Sequence, residues 1–299
     1  MHLVVRAEPG GLLVFEIDTA ILIQLNRDEA LRLGYRGEFP EQVTAPRFVH
    51  IEISNRCNRQ PRCIGCYVKE MNGVELTNAE VRAILTQLAE MKVCSVTFGG
   101  GEPFMRADIF DLAEYASSQG LVVLATTNGI LLRDMADLAV FKQVNVSYHG
   151  DLELAEHAVR KAKKYTNAGV NFVASKLYIN SLPQVAELCR REDAELLLLT
   201  YKPVDGDYEN QVPPSQVLKI AEALSKSGVR VAFDGLTCLT CVAGEYFVDI
   251  ASTGDVYPCS FVRETLGNVK ATPFKTIWSK RRRVYRCPYL AEGERPCGN

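Results

Sequence analysis

The chain has 299 residues, and its 34 Lys plus Arg nearly balance its 36 Asp plus Glu, leaving a formal charge of −2. Hydrophobic residues at 47% and charged residues at 23% suit a soluble globular protein and exclude a disordered one, and the even charge gives no electrostatic case for nucleic acid or an acidic membrane as partner. The apolar runs, such as residues 196–199, fall far short of the ~20 residues of a membrane span. The first residues lack the layout of a secretory signal, so a cytoplasmic location is expected.

In chain order, residues 1–45 read as a small β-rich lead-in. Strand patterns at 2–6, 12–18 and 21–25 surround the turn Pro9-Gly10-Gly11, and a short helix comes next at 27–33. This piece is too small to hold a core of its own and is expected to pack on the larger unit after it as a hairpin, with peptide docking as the other option. From residue 47 strand and helix patterns alternate. Strands are expected at 47–54, 94–99, 122–127, 143–148, 171–179 and 194–201. The helices between them are expected at 78–92, 107–119, 131–140, 151–167 and 182–191, and a helix at 214–227 and a strand at 229–233 close the unit. Thr77 with Glu80 fits a capping box, and Pro183 suits a first helical turn. Such alternation argues for parallel strands joined by βα crossovers, an α/β architecture of partial (β/α)6 barrel type over residues 46–234. Residues 235–299 break the rhythm with short strand patterns at 245–250 and 256–257, one helix pattern at 273–283 and five cysteines.

The 10 cysteines are too few for a disulfide scaffold and are clumped, which in a reducing compartment points to metal or redox chemistry. Cys57, Cys63 and Cys66 share the loop after the first barrel strand. Three thiolates on one loop suit three irons of a 4Fe–4S cluster, and a zinc site built on Cys63 and Cys66 is the alternative. Gly99-Gly100-Gly101-Glu102-Pro103 follows the second strand, Thr126-Thr127-Asn128-Gly129 the third, and Ser147-Tyr148-His149-Gly150 the fourth. Each alone is an ordinary turn, but all fall on the face where α/β barrels carry their sites. Cys94 and Cys189 read as buried, unreactive thiols, and His149 as a satisfied loop histidine.

Together and in this order, the cysteine triad, Gly-Gly-Glu-Pro, Thr-Asn-Gly and Ser-x-x-Gly resemble the radical S-adenosylmethionine (radical SAM) superfamily over about residues 45–233. The resemblance implies an enzyme that reductively cleaves S-adenosylmethionine at a site-differentiated 4Fe–4S cluster. The resulting 5′-deoxyadenosyl radical abstracts hydrogen from substrate. It implies Cys57, Cys63 and Cys66 as cluster ligands, and Gly100, Gly101 and Glu102 as receivers of the methionyl amino group. Thr127, Asn128 and Ser147 become ribose and carboxylate contacts, with Lys176 as a carboxylate partner and Tyr201 to Val204 near adenine. The chain departs from the common pattern in placing five residues between the first two cysteines and in having Gly65, with Tyr67 beyond, where an aromatic residue usually precedes the third.

The C-terminal run of Cys241, Gly254 and Cys259, with Leu266-Gly267-Asn268-Val269 and Trp278, resembles a SPASM or twitch-type auxiliary-cluster extension. Its shorter cysteine complement favours one second 4Fe–4S cluster drawn from Cys238, Cys241, Cys259, Cys287 and Cys297, with a small zinc ribbon as the alternative. The resemblance implies a peptide or protein side chain as substrate and ferredoxin or flavodoxin as electron donor, with neither nucleic acid nor membrane as partner. Alternatives are a small molecule, as in a cofactor-precursor cyclase or alcohol dehydrogenase, and a non-catalytic metal scaffold. The sequence singles out no catalytic side chain.

Overall fold

The structure is a computed structural model and describes residues 2–68, 73–204, 206–235, 241–281 and 287–289. Its first element is an antiparallel sheet of β1 (Leu3–Glu8), β2 (Gly11–Glu16) and β3 (Ile21–Asn26), in that order. Gly11 is required at the turn: its φ is +145°, and a Cβ there would lie 2.0 Å from the Leu25 carbonyl. Helix α1 (Arg27–Arg32) starts from an Asn26–Glu29 capping box. The inner face of this sheet does not stand alone. Leu13 and Phe15 pack on Cys94 and Val122, and buried Glu8 pairs with Arg6 and Arg47, tying the lead-in to the base of the next sheet.

That sheet is built from β4 (Phe48–Ser54), β5 (Ser95–Gly100), β6 (Val122–Thr127), β7 (Gln143–Ser147), β8 (Asn167–Ala174), β9 (Glu195–Thr200) and β10 (Val231–Phe233). The strands are parallel and lie side by side in chain order. Between them run α2 (Asn78–Glu90), α3 (Ile109–Ser118), α4 (Leu152–Lys163), α5 (Leu182–Arg191) and α6 (Pro214–Lys226). Val49, Ile51, Val96, Phe98, Val144, Val146, Val170 and Phe172 form one core with the buried stripes of these helices. Strand alternation therefore turns His50, Glu52, Gly99, Asn145, Ser147 and Asn171 to the opposite face. The fold is mixed α/β with a parallel sheet, as the alternation of patterns predicts. Among the described residues no strand joins β10 back to β4.

The free side of β4 is taken instead by β11 (Phe247–Ile250), which pairs with it in parallel. An antiparallel pair comes after it, β12 (Asp255–Tyr257) and β13 (Gly267–Asn268). Helix α7 (Phe274–Lys280) buries Phe274, Ile277 and Trp278 in the main core, with Trp278 Nε1–H donating to the Val43 carbonyl at 3.1 Å.

Two expected elements differ. Residues 131–140 form only a 3-10 turn, Ala136–Val140, because Met135 is extended and Asp134 is drawn to Lys164 and Tyr165. The expected strand 171–179 lies earlier, at Asn167–Ala174. Helix α4 stops at Lys163, where the Tyr165 and Thr166 N–H groups turn back to the Ala162 carbonyl.

Candidate active site

The loop leaving β4 and the turn leaving β5 run against each other. Gly101 N–H donates to the Ser54 carbonyl and Glu102 N–H to the Arg56 carbonyl, both at 2.7 Å. Only glycine fits this approach. A Cβ on Gly100, whose φ is +103°, would lie 2.4 Å from Ser54 O, and one on Gly101 would lie 2.1 Å from Arg56 O. The cysteine loop is thereby fixed at its root, one residue before Cys57.

Glu102 is fully buried, and its carboxylate faces the protein. Oε1 accepts from Thr127 Oγ1 at 2.8 Å and from Phe104 N–H at 3.2 Å, and Oε2 accepts from Asn128 N–H at 2.8 Å. Burial raises its pKa against these three donors. Asn128 Nδ2 donates to Asn58 Oδ1 at 2.8 Å and lies 3.8 Å from Cys57 Sγ, while its Oδ1 accepts from Ile130 N–H. The side chains of Glu102, Thr127 and Asn128 are thus spent on one another and on the cysteine loop. The short turns after β5 and β6 leave their own N–H groups to be satisfied, and these side chains are the acceptors at hand, so the three residues expected to meet a ligand also brace the loops around it. Lys176, expected on the strand itself, stands exposed just beyond the end of β8.

Cys57, Cys63 and Cys66 are free and half-buried. Burial pushes the Cys63 thiol up to about 11; the Arg59 guanidinium opposes this, and neighbouring Cys66 and Cys57 add to it. His149 Nε2 lies 3.6 Å from Cys63 Sγ, and Arg59 Nη2 donates to the His149 carbonyl at 3.2 Å. Burial, with Arg59 beside it, holds this imidazole down to about 4, so it is neutral at pH 7. Gly65, at φ +69°, meets the ring of Tyr201 where a Cβ would lie 2.9 Å from Cε2. An aromatic ring from the end of β9 therefore fills the space beside the third cysteine that a side chain at position 65 would take.

The second group of thiols forms likewise. Cys241, Cys259 and Cys287 are free and half-buried, and burial pushes Cys259 up to about 11, with Cys241 and Cys287 adding to the rise. Cys238 and Cys297 lie outside the described residues. Cys94 and Cys189 are fully buried, away from both groups. Among the described residues, no three His, Cys, Asp or Glu gather around one point as a single metal ion requires. An iron–sulfur cluster asks less of them, since each thiolate meets its own iron.

Several groups escaped sequence reasoning. Asn171 Oδ1, Ser175 Oγ and both amide atoms of Asn55 are buried with no hydrogen-bond partner among the described residues, so this side of the sheet holds polar groups suited to a polar ligand. Between the two thiol groups lies a buried network. His50 Nδ1 is 2.6 Å from Asp249 Oδ1, the Tyr67 hydroxyl reaches His50 Nε2 and the Gly100 main chain, and Arg263 pairs with Glu52 and Asp249. Strand alternation could flag His50 and Glu52 as inward-facing; nothing local singles out Asp249 or Arg263.

With that geometry in place, two family models match. Residues 51–175 match the Radical SAM superfamily, and residues 241–299 match the SPASM iron-sulfur cluster-binding domain. The chain carries a radical SAM domain. It is an enzyme with that domain and a C-terminal SPASM domain, which implies S-adenosylmethionine and a 4Fe–4S cluster in the first part and auxiliary iron–sulfur binding in the second. Its radical SAM relatives include the AdoMet-dependent heme synthase of Methanosarcina barkeri, 24% identical over 86% of this chain and 88% of that protein. Mycofactocin maturase MftC of Mycolicibacterium smegmatis is 26% identical over 88% of this chain and 78% of its own length. In fold the chain is similar to Streptococcus suis SuiB bound to its precursor peptide SuiA. The TM-score is 0.74 at 16% identity, covering 92% of this chain and 87% of that one.

Proposed function

We propose that Cys57, Cys63 and Cys66 hold a 4Fe–4S cluster with one iron left for S-adenosylmethionine, and that this radical SAM enzyme acts on a peptide or protein side chain. The observation that carries the first part is three half-buried thiols on one loop, near enough for Cys57 and Cys66 to act on Cys63, with the root of that loop bonded to the Gly101–Glu102 turn. When bound, cluster and cofactor together supply a hydrogen-abstracting radical.

The rest is the work of this chain. The Gly100 and Gly101 carbonyl oxygens are offered to the methionyl amino group, and the absent Cβ atoms let this turn lie against Ser54 and Arg56. Ser147 and Ser175 offer hydroxyls, and Asn171 a carbonyl oxygen, to the ribose and carboxylate. Glu102, Thr127 and Asn128 also hold the loops in register. Tyr201 is placed for adenine by its contact with Gly65. The neutral imidazole of His149 beside Cys63 adds no positive charge to that of Arg59. Cys241, Cys259 and Cys287 are the ligands assigned to one auxiliary cluster, with Cys238 or Cys297 completing it, and a low-potential donor such as ferredoxin or flavodoxin delivers the electron.

Support for a peptide comes from relatives named as a mycofactocin maturase and a PqqA peptide cyclase, and from the fold shared with SuiB, solved with a precursor peptide. A small-molecule substrate is the second reading, favoured by the likeness to heme synthase along 86% of the chain. Anaerobic reconstitution and then dithionite reduction are expected to give about eight irons per chain and 5′-deoxyadenosine. Bound zinc, or iron without cleavage, would sink the reading. Purifying the chain with peptides from its host and reading loss of hydrogen by mass spectrometry separates the peptide from a small molecule.

A further inference from the structure

The two cysteine loops grip each other through one side chain. Arg263 lies four residues past Cys259, on the C-terminal side. Its Nη2 donates to Glu52 Oε1 and, at 3.0 Å, to the main-chain carbonyl of Tyr67, the residue after Cys66. Its Nη1 reaches Asp249 Oδ2 at 3.4 Å, and the guanidinium stands 4.7 Å over the Tyr257 ring. Glu52 is 4% exposed and Asp249 fully buried, so one planar cation serves two buried carboxylates and still holds a main-chain oxygen. A guanidinium presents its donors in a fixed planar fork that spans all three acceptors, which the compact ammonium of a lysine does not.

The same segment is held from its other side. The Phe261 ring meets the Tyr67 ring edge-on at 5.6 Å. The Tyr67 hydroxyl in turn accepts from Gly100 N–H at 3.2 Å. The chain from Cys259 to Arg263 thus holds Tyr67 by carbonyl and ring, and Tyr67 holds the turn where the amino group of S-adenosylmethionine is read to bind.

We propose that Arg263 is a positioning residue through which the C-terminal cysteine loop sets the placement of Cys66 and of the Gly100 turn. The part concerning S-adenosylmethionine rests on the function proposed above; the mechanical link does not. The link is read in the full chain before any iron is added, by the rate at which iodoacetamide alkylates each thiol. Cys94 and Cys189, fully buried, report whether the fold is intact. Arg263→Lys keeps the charge on Glu52 and loses the fork. It is expected to raise the Cys66 rate about tenfold relative to Cys57, with Cys94 and Cys189 still protected. Unchanged Cys66 reactivity would overturn the proposal. If Cys94 and Cys189 react as well, Tyr257→Leu, which removes the ring on which the guanidinium rests and keeps its charge beside Glu52 and Asp249, is put through the same comparison, and an unchanged Cys66 rate there is equally fatal. In the reconstituted chain Arg263→Lys should keep its iron yet weaken S-adenosylmethionine binding about tenfold, read by the change that the cofactor causes in the cluster's EPR signal. A wild-type chain that cleaves no S-adenosylmethionine would refute the function while leaving the thiol result to decide the link.

Discussion

Glu102 and Glu52 are two buried carboxylates one strand apart that differ in what surrounds them. Glu102 faces three neutral donors and acts as a brace for the loops after β4, β5 and β6. Glu52 faces Arg263 but also shares it with Asp249. Burial pushes Glu52 up from its ordinary 4.5 to about 7, Asp249 adds to the rise, and Arg263 opposes it. A carboxyl group with a folded pKa above its unfolded one holds more protons in the folded state. Stability therefore falls as pH rises between about 4.5 and about 7, and is highest in this respect below that window. Glu52→Gln, which cannot ionise, is expected to flatten that fall, measured as urea midpoints of the full chain from pH 5 to pH 8. A wild-type midpoint that rises with pH across the window, or a variant that tracks the wild type, would contradict the assignment.

At the scale of elements, the site depends on two turns lying closer than side chains allow. Gly101 N–H meets Ser54 O, and the absent Cβ would sit 2.1 Å from Arg56 O. Both atoms are main chain, so no rotamer relieves the clash; overpacking of this kind costs about 1–3 kcal/mol. Gly101→Ala is therefore expected to shift the cysteine loop and lower iron uptake on reconstitution several-fold, since the loop root moves with Arg56. Thr77→Ala gives the comparison. It removes the N-cap of α2, whose hydroxyl is engaged with Glu80, at about 1 kcal/mol, and should leave iron uptake unchanged. Equal iron content in both variants would show that the turn does not place the cysteines.

At the scale of the molecule, the SPASM region and the radical SAM region share a sheet. β11 pairs with β4 from Phe247↔Phe48 to Ile250↔Ile51, and α7 sends Phe274 and Trp278 into the core that the earlier helices form. A chain ended at Gly235 would lose both. The edge of β4 would be bare, and the core surface under Trp278 would face water. Such a chain is expected to associate or precipitate, seen by size-exclusion chromatography with light scattering. A soluble monomer melting with the full chain would show that the shared sheet contributes little.

Local pattern determined a good deal of this protein. The alternation of apolar strands with amphipathic helices is set by periods of two and 3.6, which any short window reveals, and it predicted the parallel α/β core. The capping box at Thr77 and Glu80 and the start of α5 at Leu182 depend on residues a few positions apart and were equally legible. So were the motifs Cys57 to Cys66 and Gly99 to Pro103, because they are contiguous. Helix and strand ends near Lys163 and Ala174 were not, since main-chain turns, rather than side-chain pattern, decide them. The contact between Gly65 and Tyr201, the inward turn of Glu102, and the joining of Asp249 and Arg263 to His50, Glu52 and Tyr67 were decided by tertiary structure alone. Their partners stand as many as 211 positions apart in the chain. Which way a buried polar side chain faces is settled by the donors and acceptors that folding brings beside it, and no local pattern carries that information.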